Sequence, residues 1–476
     1  MTTSSPHVIF ITMDELRKDA LSCYGNKAIE TPHLDKLASE SIRFDKAYAV
    51  SPWCLPSRSA ILTGQYPHQS GAYSNFRKCE LSADIPNLFG TFREGGYRTA
   101  VFGKCHFSPV PYSQTRPEVT LAYEAFRDYY LKLGIDHLDL QDDKQVSVWF
   151  YDDYAKELDA AGYLEAYRQE VWNEKANGKV FKFPGPPEWH PDSWVGRKAV
   201  QYIESYAEDQ PMFAWVSFSG PHFPFDAPEP YLERVDMSKD TPRKWKADEF
   251  DDKRRIHHGS YHGPGGIEGS GAAADQACKN HSETYWQNLR RSYYANISQI
   301  DDAIGMILES VYRKFGDNAL IIVTADHGEM LGNHGLWGKN NCAYEDVLNV
   351  PLLVQYPGER QGSATDAKVM LTDIMATCIK TAGLMEKKTV GRDFRESIHA
   401  GGYPYVFAEG EGFACVSDGR HKYVHVQKNG QQTCEMFDLA HDPYEYANIV
   451  DDPAYSAILS DLRGQLLNLY MNKVLA

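Results

Sequence analysis

The chain has 476 residues, a formal net charge of −16 and 24% charged residues. That length exceeds what one hydrophobic core normally supports, so two domains of unequal size are expected. The negative overall field excludes a nucleic-acid binder held by net charge, yet leaves room for an anionic substrate held by a local cluster of cations and metal.

Aromatic residues make up 13% of the chain, with 30 tyrosines, which suits surfaces that stack on sugars or other flat ligands. The nine cysteines are scattered and no C-x-x-C pair occurs, so neither a zinc ribbon nor a disulfide scaffold is suggested. Reduced thiols point to a cytoplasm-like compartment. The first residues, MTTSSPHVIFITMDE, lack a basic n-region, so a cytoplasmic location is expected as the sequence stands, and a periplasmic or secreted one if a signal has been cleaved. No run approaches the ~20 apolar residues of a transmembrane helix, so no membrane is expected among the partners.

In chain order, HVIFITMDE (7–15) reads as a buried strand with acidic groups at its C-terminal end. TPHLDKLASES (31–41) has helical periodicity, and SPWCLPSRSAILTG (51–64) holds a short helix over 56–63. There Pro56 suits the first turn, Gly64 suits the C-terminal cap, and Cys54 falls just outside the positive end. YRTAVFGKCH (97–106), PMFAWVSFSGPH (211–222) and NALIIVTADHGE (318–329) repeat the strand-then-polar pattern, while SQIDDAIGMILESVYRKF (298–315) reads as a helix. Residues 128–195, with the Pro-rich FKFPGPPEWHP, and the glycine-rich 244–276 read as insertions.

The alternation predicts an α/β fold with a large, mostly parallel sheet flanked by helices over residues 1–356. A smaller C-terminal α+β domain with an antiparallel sheet and a terminal helix is predicted over 357–476. Ligands bind beyond the carboxyl ends of such strands, so the polar groups at four strand ends point to one site.

Cys54 is open to three readings: a buried small hydrophobe, a thiol nucleophile, or the precursor of a modified residue. A thiol phosphatase needs an arginine where this chain has Ala60, so that reading fails. The pattern C-x-P-S-R-x-x-x-L-T-G over residues 54–64 resembles the signature of the type I sulfatases, of the alkaline-phosphatase-like superfamily. The resemblance implies that a formylglycine-generating maturation enzyme oxidises Cys54 to formylglycine, whose hydrated gem-diol is the nucleophile.

It also implies one divalent metal, Ca²⁺ first with Mn²⁺ or Mg²⁺ behind it, bound by Asp14, residue 54 and the Asp326-His327 pair. The family often has two aspartates at the first strand end, and Met13-Asp14 leaves one ligand missing or supplied otherwise. Lys104 and His106 in FGKCHF resemble the family's G-K-x-H element, His222 its P-H-x-P element, and Lys339 the lysine after the metal pair. Arg58, Lys104 and Lys339 would offset charge on the ester, His222 would be the general acid, protonated near neutrality, and His106 would take the proton of the second gem-diol hydroxyl. Asn75 matches a substrate-contacting asparagine of the phosphonate-hydrolase branch. His334 is read as either a loop packer or a group supporting the substrate site.

The implied reaction is release of sulfate from a sulfate monoester, with a sulfated glycosaminoglycan-type oligosaccharide as the leading substrate and choline sulfate or an aryl sulfate behind it. Arg254, Arg255, His257, His258 and His262 either line a subsite for an acidic sugar or belong to a solvated loop. The alternatives are a phosphonate monoester or phosphodiester hydrolase on the same scaffold, and a catalytically silent metal-stabilised binding protein. A homo-oligomer stays open.

Overall fold

The computed structural model describes residues 5–75, 79–108, 124–177, 180–207, 209–263, 277–339, 341–428 and 430–471. Nine strands form the large sheet: β1 (His7–Asp14), β2 (Ile42–Tyr48), β3 (Arg98–Gly103), β4 (His137–Leu140), β5 (Met212–Pro221), β6 (Ala319–Ala325), β7 (Asn349–Gln355), β8 (Ser363–Thr365) and β9 (Val369–Met370). Their order is β4-β3-β5-β1-β6-β7-β2-β8, with β9 also on β2. Every pairing is parallel except those of β7, which runs against both β6 and β2. The predicted mostly parallel sheet is therefore the observed one.

The four strands foreseen from sequence, β3, β5, β1 and β6, lie side by side at the centre of this sheet. All ten residues of β5 and all seven of β6 are buried, as expected of strands covered on both faces. The polar atoms taken inside are paired: Trp215 Nε1 donates to Thr12 Oγ1 at 2.8 Å, and Thr12 Oγ1 donates to Ser217 Oγ at 3.2 Å. Leaving such groups unmade would cost about 1–3 kcal/mol each.

Two regions differ from the sequence reading. Residues 137–140, inside the stretch read as an insertion, form β4 and pair with β3. HLDL alternates polar and apolar residues, but at four residues it is too short a run to stand out within an aromatic and mixed-charge stretch. The helix foreseen over 298–315 begins at Glu283 and runs to Phe315. Its first half is rich in Tyr, Asn and Arg, which are weak helix formers or long polar side chains, yet tertiary packing buries it.

The second sheet is antiparallel: β10 (Val406–Gly410), β11 (Phe413–Ser417), β12 (His421–Lys428) and β13 (Gln431–Asp438), in that order. The terminal helix Ser456–Met471 covers it through Leu462 and Leu466. Strands β8 and β9, beyond residue 356, hydrogen-bond onto the large sheet. Buried charges anchor the second sheet to the loops around it. Lys422 Nζ reaches Ala343 O and Glu445 Oε1, each at 2.8 Å, and Arg255 Nε donates to Glu435 Oε1 at 2.6 Å. No described helix is long and apolar enough to cross a membrane.

Candidate active site

Because β1, β3, β4, β5 and β6 are mutually parallel, their carboxyl ends open on one side, and this is where the chemistry-bearing residues gather. The helix Cys54–Thr63 points its N-terminus into that space and is buried along its whole length. Cys54 is its first residue, not a flanking one as the proline position suggested, with Trp53 as N-cap. At the other end Gly64 adopts φ 61° and donates to Ala60 O at 2.8 Å, a left-handed cap that side chains disfavour. Free N–H groups at the N-terminus stabilise an anion by about 0.3–1 kcal/mol at an exposed end and up to ~2 when buried.

Around Cys54 stand three further ligand-type side chains. His327 Nε2 lies 3.1 Å and Asp14 Oδ1 3.6 Å from Cys54 Sγ, and donor atoms of Asp14, Cys54, Asp326 and His327 all fall within 4.8 Å of one another. His327 Nδ1 faces Gly328 O at 3.0 Å, so that nitrogen carries the ring proton and Nε2 presents its lone pair to the cluster. Burial first holds His327 below its usual pKa, which keeps it a neutral ligand. Two carboxylates and one imidazole form a mostly oxygen donor set that suits a hard or borderline divalent ion. Burial and then Asp14 push the Cys54 thiol up to about 12, so on its own it is no thiolate nucleophile.

Three cationic side chains surround this set. Arg58 Nε donates to Asp326 Oδ2 at 2.7 Å, and its Nη2 is 3.7 Å from Asp14 Oδ2. Lys104 pairs with Asp14 and, at 2.8 Å, with Asp143 Oδ2. Lys339 Nζ donates to Glu15 Oε2 at 2.7 Å. Burial alone would raise Asp14, but Lys104, His222 and Arg58 outweigh it and hold the carboxyl well below the usual range. Gly103 permits the close approach that delivers Lys104: its φ is 95°, and a Cβ there would fall 2.0 Å from Ser217 O.

His222 Nδ1 faces Phe223 O at 2.6 Å, and Nε2 is 3.2 Å from Glu15 Oε2. Burial first and Lys339 second push this ring well below 6.5, whereas its contacts favour the protonated form, since both ring nitrogens face oxygen acceptors. His106, half-buried at φ 49°, has its backbone N–H and that of Cys105 held by Asp142 Oδ1 at 2.8 and 2.9 Å. Desolvation and then Lys104 push its ring down to about 3.

Asn75 Oδ1 accepts the Leu55 N–H at 3.0 Å, so it braces the helix start. His334 is buried away from these contacts. Its Nδ1 meets Glu249 Oε1 at 2.5 Å, and its ring stacks on Tyr344 at 4.0 Å, which agrees with loop packing. Of the 254–262 cluster, Arg255 is buried against Glu435, Arg254 pairs with Asp252 and Asp451, and His258 and His262 both face Phe250 O. Arg254 is exposed, whereas the hydrogen bonds of Arg255, His258 and His262 go to buried or part-buried protein groups. Residues 264–276 of the glycine-rich stretch lie outside the described residues.

Two acidic residues escaped the sequence reading. Glu15 is signalled only by its adjacency to Asp14, and its positive φ of 65° turns its side chain toward Lys339 and His222. Asp143 follows the unforeseen β4, so nothing local marked it.

The sheet, the helix at residue 54 and the ligand set define an alkaline-phosphatase-like hydrolytic fold. The family model described as Sulfatase matches residues 6–384, and the chain belongs to the sulfatase family. It is a sulfatase-type hydrolase. A model described as N-sulphoglucosamine sulphohydrolase, C-terminal, matches residues 332–472. The uncharacterized sulfatase YidJ of Escherichia coli is 26% identical over 486 residues, covering 98% of this chain and 88% of that protein. An N-acetylglucosamine-6-O-sulfatase of Bacteroides thetaiotaomicron is 26% identical over 514 residues, covering 95% of this chain and 84% of that one. Among solved structures, phosphonate monoester hydrolase of Agrobacterium radiobacter superposes with a TM-score of 0.79 at 23% identity, covering 98% and 96% of the two chains. That last likeness bears on fold alone.

Proposed function

We propose that the protein releases inorganic sulfate from a sulfate monoester of a carbohydrate, with residue 54 converted to formylglycine in the working enzyme. The observation that carries this reading is the setting of position 54. It lies at the N-terminus of a buried helix, within 3.1 Å of His327 and 3.6 Å of Asp14, inside a ring of Arg58, Lys104 and Lys339. A thiol pushed to about 12 serves poorly there, whereas a hydrated aldehyde offers an oxygen nucleophile and a second hydroxyl for expelling sulfate.

Asp14, Asp326, His327 and residue 54 would hold one divalent ion, Ca²⁺ first, with Mn²⁺ or Mg²⁺ as the alternatives. When bound, such an ion polarises ester oxygens and acidifies a neighbouring hydroxyl. Lys104 and Lys339 bind and orient the sulfuryl oxygens, and Arg58 fixes Asp326 and the helix start. His222 holds the proton destined for the leaving oxygen. An anionic ester beside Lys339 offsets the charge that depresses the ring, so substrate itself favours protonation. His106 takes a proton from the nucleophile side.

The carbohydrate assignment is supported by the N-acetylglucosamine-6-O-sulfatase relative and by the C-terminal match to the N-sulphoglucosamine sulphohydrolase model. The Asp326-His327 pair and the single Asp14 favour a second reading, phosphonate monoester hydrolysis on the same site. Initial rates on an aryl sulfate and an aryl phosphonate, followed by desulfation of defined oligosaccharides, test both. Turnover of the phosphonate with none of any sulfate ester would overturn the first reading.

A further inference from the structure

Three cationic side chains face the site, Arg58, Lys104 and Lys339, and each is already paired with a carboxylate. Arg58 is held by Asp326, Lys104 by Asp14 and Asp143, and Lys339 by Glu15. Asp14 and Asp326 have a further task in the ligand set. Glu15 and Asp143 do not belong to that set, and both are buried. They close on His222 from two directions. Glu15 Oε2 stands 3.2 Å from Nε2, and donor atoms of Asp143, Asp14 and His222 lie within 4.8 Å of one another.

We propose that Glu15 and Asp143 are specificity-determining residues that lower the charge of the anion pocket, so that singly charged ester groups are accepted and doubly charged ones rejected. Four carboxylates against three cations leave the side chains at −1, and a divalent ion brings the pocket to +1, with the charge of a protonated His222 offset by that of an ionised hydroxyl at residue 54. That complements a sulfate monoester or a phosphonate monoester, each carrying one negative charge. It does not complement a phosphate monoester dianion. With Glu15 and Asp143 neutral the same pocket would stand at +3 and favour the dianion. Buried and paired directly with Lys339 and Lys104, each carboxylate acts at reduced effective dielectric, where one unit of charge changes relative affinity by about tenfold or more.

The inference rests on the ester-hydrolase reading, and its test separates the two. Wild type, E15Q and D143N, each with metal and residue 54 matured, are compared on p-nitrophenyl sulfate, p-nitrophenyl phenylphosphonate and p-nitrophenyl phosphate. Each substitution should raise the phosphate-to-sulfate ratio of kcat/KM by about tenfold. The phosphonate-to-sulfate ratio, which compares two singly charged groups, should stay within about threefold, because charge is the only property being selected. Damage to Lys104 or Lys339 placement would instead lower all three rates together, and parallel change across the substrates overturns the proposal. Thermal shifts given by inorganic sulfate, a dianion, and methyl sulfate, a monoanion, provide a readout independent of turnover. The variants should gain stabilisation by the dianion relative to the monoanion, and no gain overturns the proposal. A wild type inert on all three esters would instead count against the proposed reaction, with the thermal shifts still deciding the charge question.

Discussion

His327 Nε2 lies 3.1 Å from Cys54 Sγ, although 273 residues separate the two in the chain. The contact joins the loop after β6 to the first turn of the Cys54–Thr63 helix. In the proposed mechanism position 54 is both a metal ligand and the reacting position. A change at either residue should therefore be felt in both metal binding and turnover.

Replacing Cys54 by Ala removes the precursor of the proposed aldehyde while leaving a small residue at a buried helix start. Sulfate release should fall to background, with little change in the urea midpoint. Mass analysis of the wild-type peptide containing residue 54, from protein made with its maturation enzyme, should show a species lighter than the thiol form. Retained turnover in C54A would remove formylglycine from the mechanism.

Metal removal should abolish activity and lower stability together, because Asp14 and Asp326 would then face each other across the cluster with only Arg58 and Lys104 to offset them. An ion at a hundred times its dissociation constant adds about 2.7 kcal/mol of stability. Chelation followed by melting curves, with Ca²⁺, Mn²⁺ and Mg²⁺ added back in turn, measures this and ranks the ions. The variant D326N should show no ion-dependent rise in melting temperature.

His106 supplies a pH signature. Its folded-state pKa is depressed from 6.5 to about 3, so the unfolded chain binds the proton first. The neutral ring's contribution is therefore fully present above 6.5 and is lost as pH falls from about 6.5 toward about 3. At pH 5 the loss is up to about 2 kcal/mol relative to pH 7.5. Wild type should lose that much stability relative to H106Q over this interval in paired urea titrations. Parallel curves would mean that the ring is not desolvated.

Arg255 tests what the basic cluster is for. It is buried between Glu435 and Glu249, with Tyr344 and Tyr446 O as further acceptors. R255M strands the buried Glu435 carboxylate, while Glu249 keeps His334, and should cost about 3–5 kcal/mol of stability. KM for a sulfated oligosaccharide should be unchanged once the protein is folded. A rise in KM without loss of stability would restore a direct role in sugar binding.

Much of this was legible in the chain. Each of β1, β3, β5 and β6 is a mostly apolar run followed by ionisable residues, because a strand covered on both faces admits charged groups only where it emerges. That one rule places Asp14, Lys104, His222 and Asp326 at neighbouring strand ends. What escaped was short or non-local. β4 has only four residues, too short a run to mark a strand, so Asp142 and Asp143 behind it went unmarked. Glu15 looked like one more acidic residue until its left-handed backbone turned it onto Lys339 and His222.

The sequence by itself pointed to the sulfatase family, since C-x-P-S-R-x-x-x-L-T-G is a contiguous pattern that resembles the family signature without any distant residue. It also determined the parallel sheet, since buried strands must read as apolar runs. Only the tertiary structure decided how the charges pair and which histidines face the site. It buried His334 against Glu249 and Tyr344, set Arg255 between two carboxylates, and gathered Glu15 and Asp143 around His222. The physical reason is that a side chain's charge state and partners depend on burial and on groups distant in the chain, and neither is encoded in local spacing.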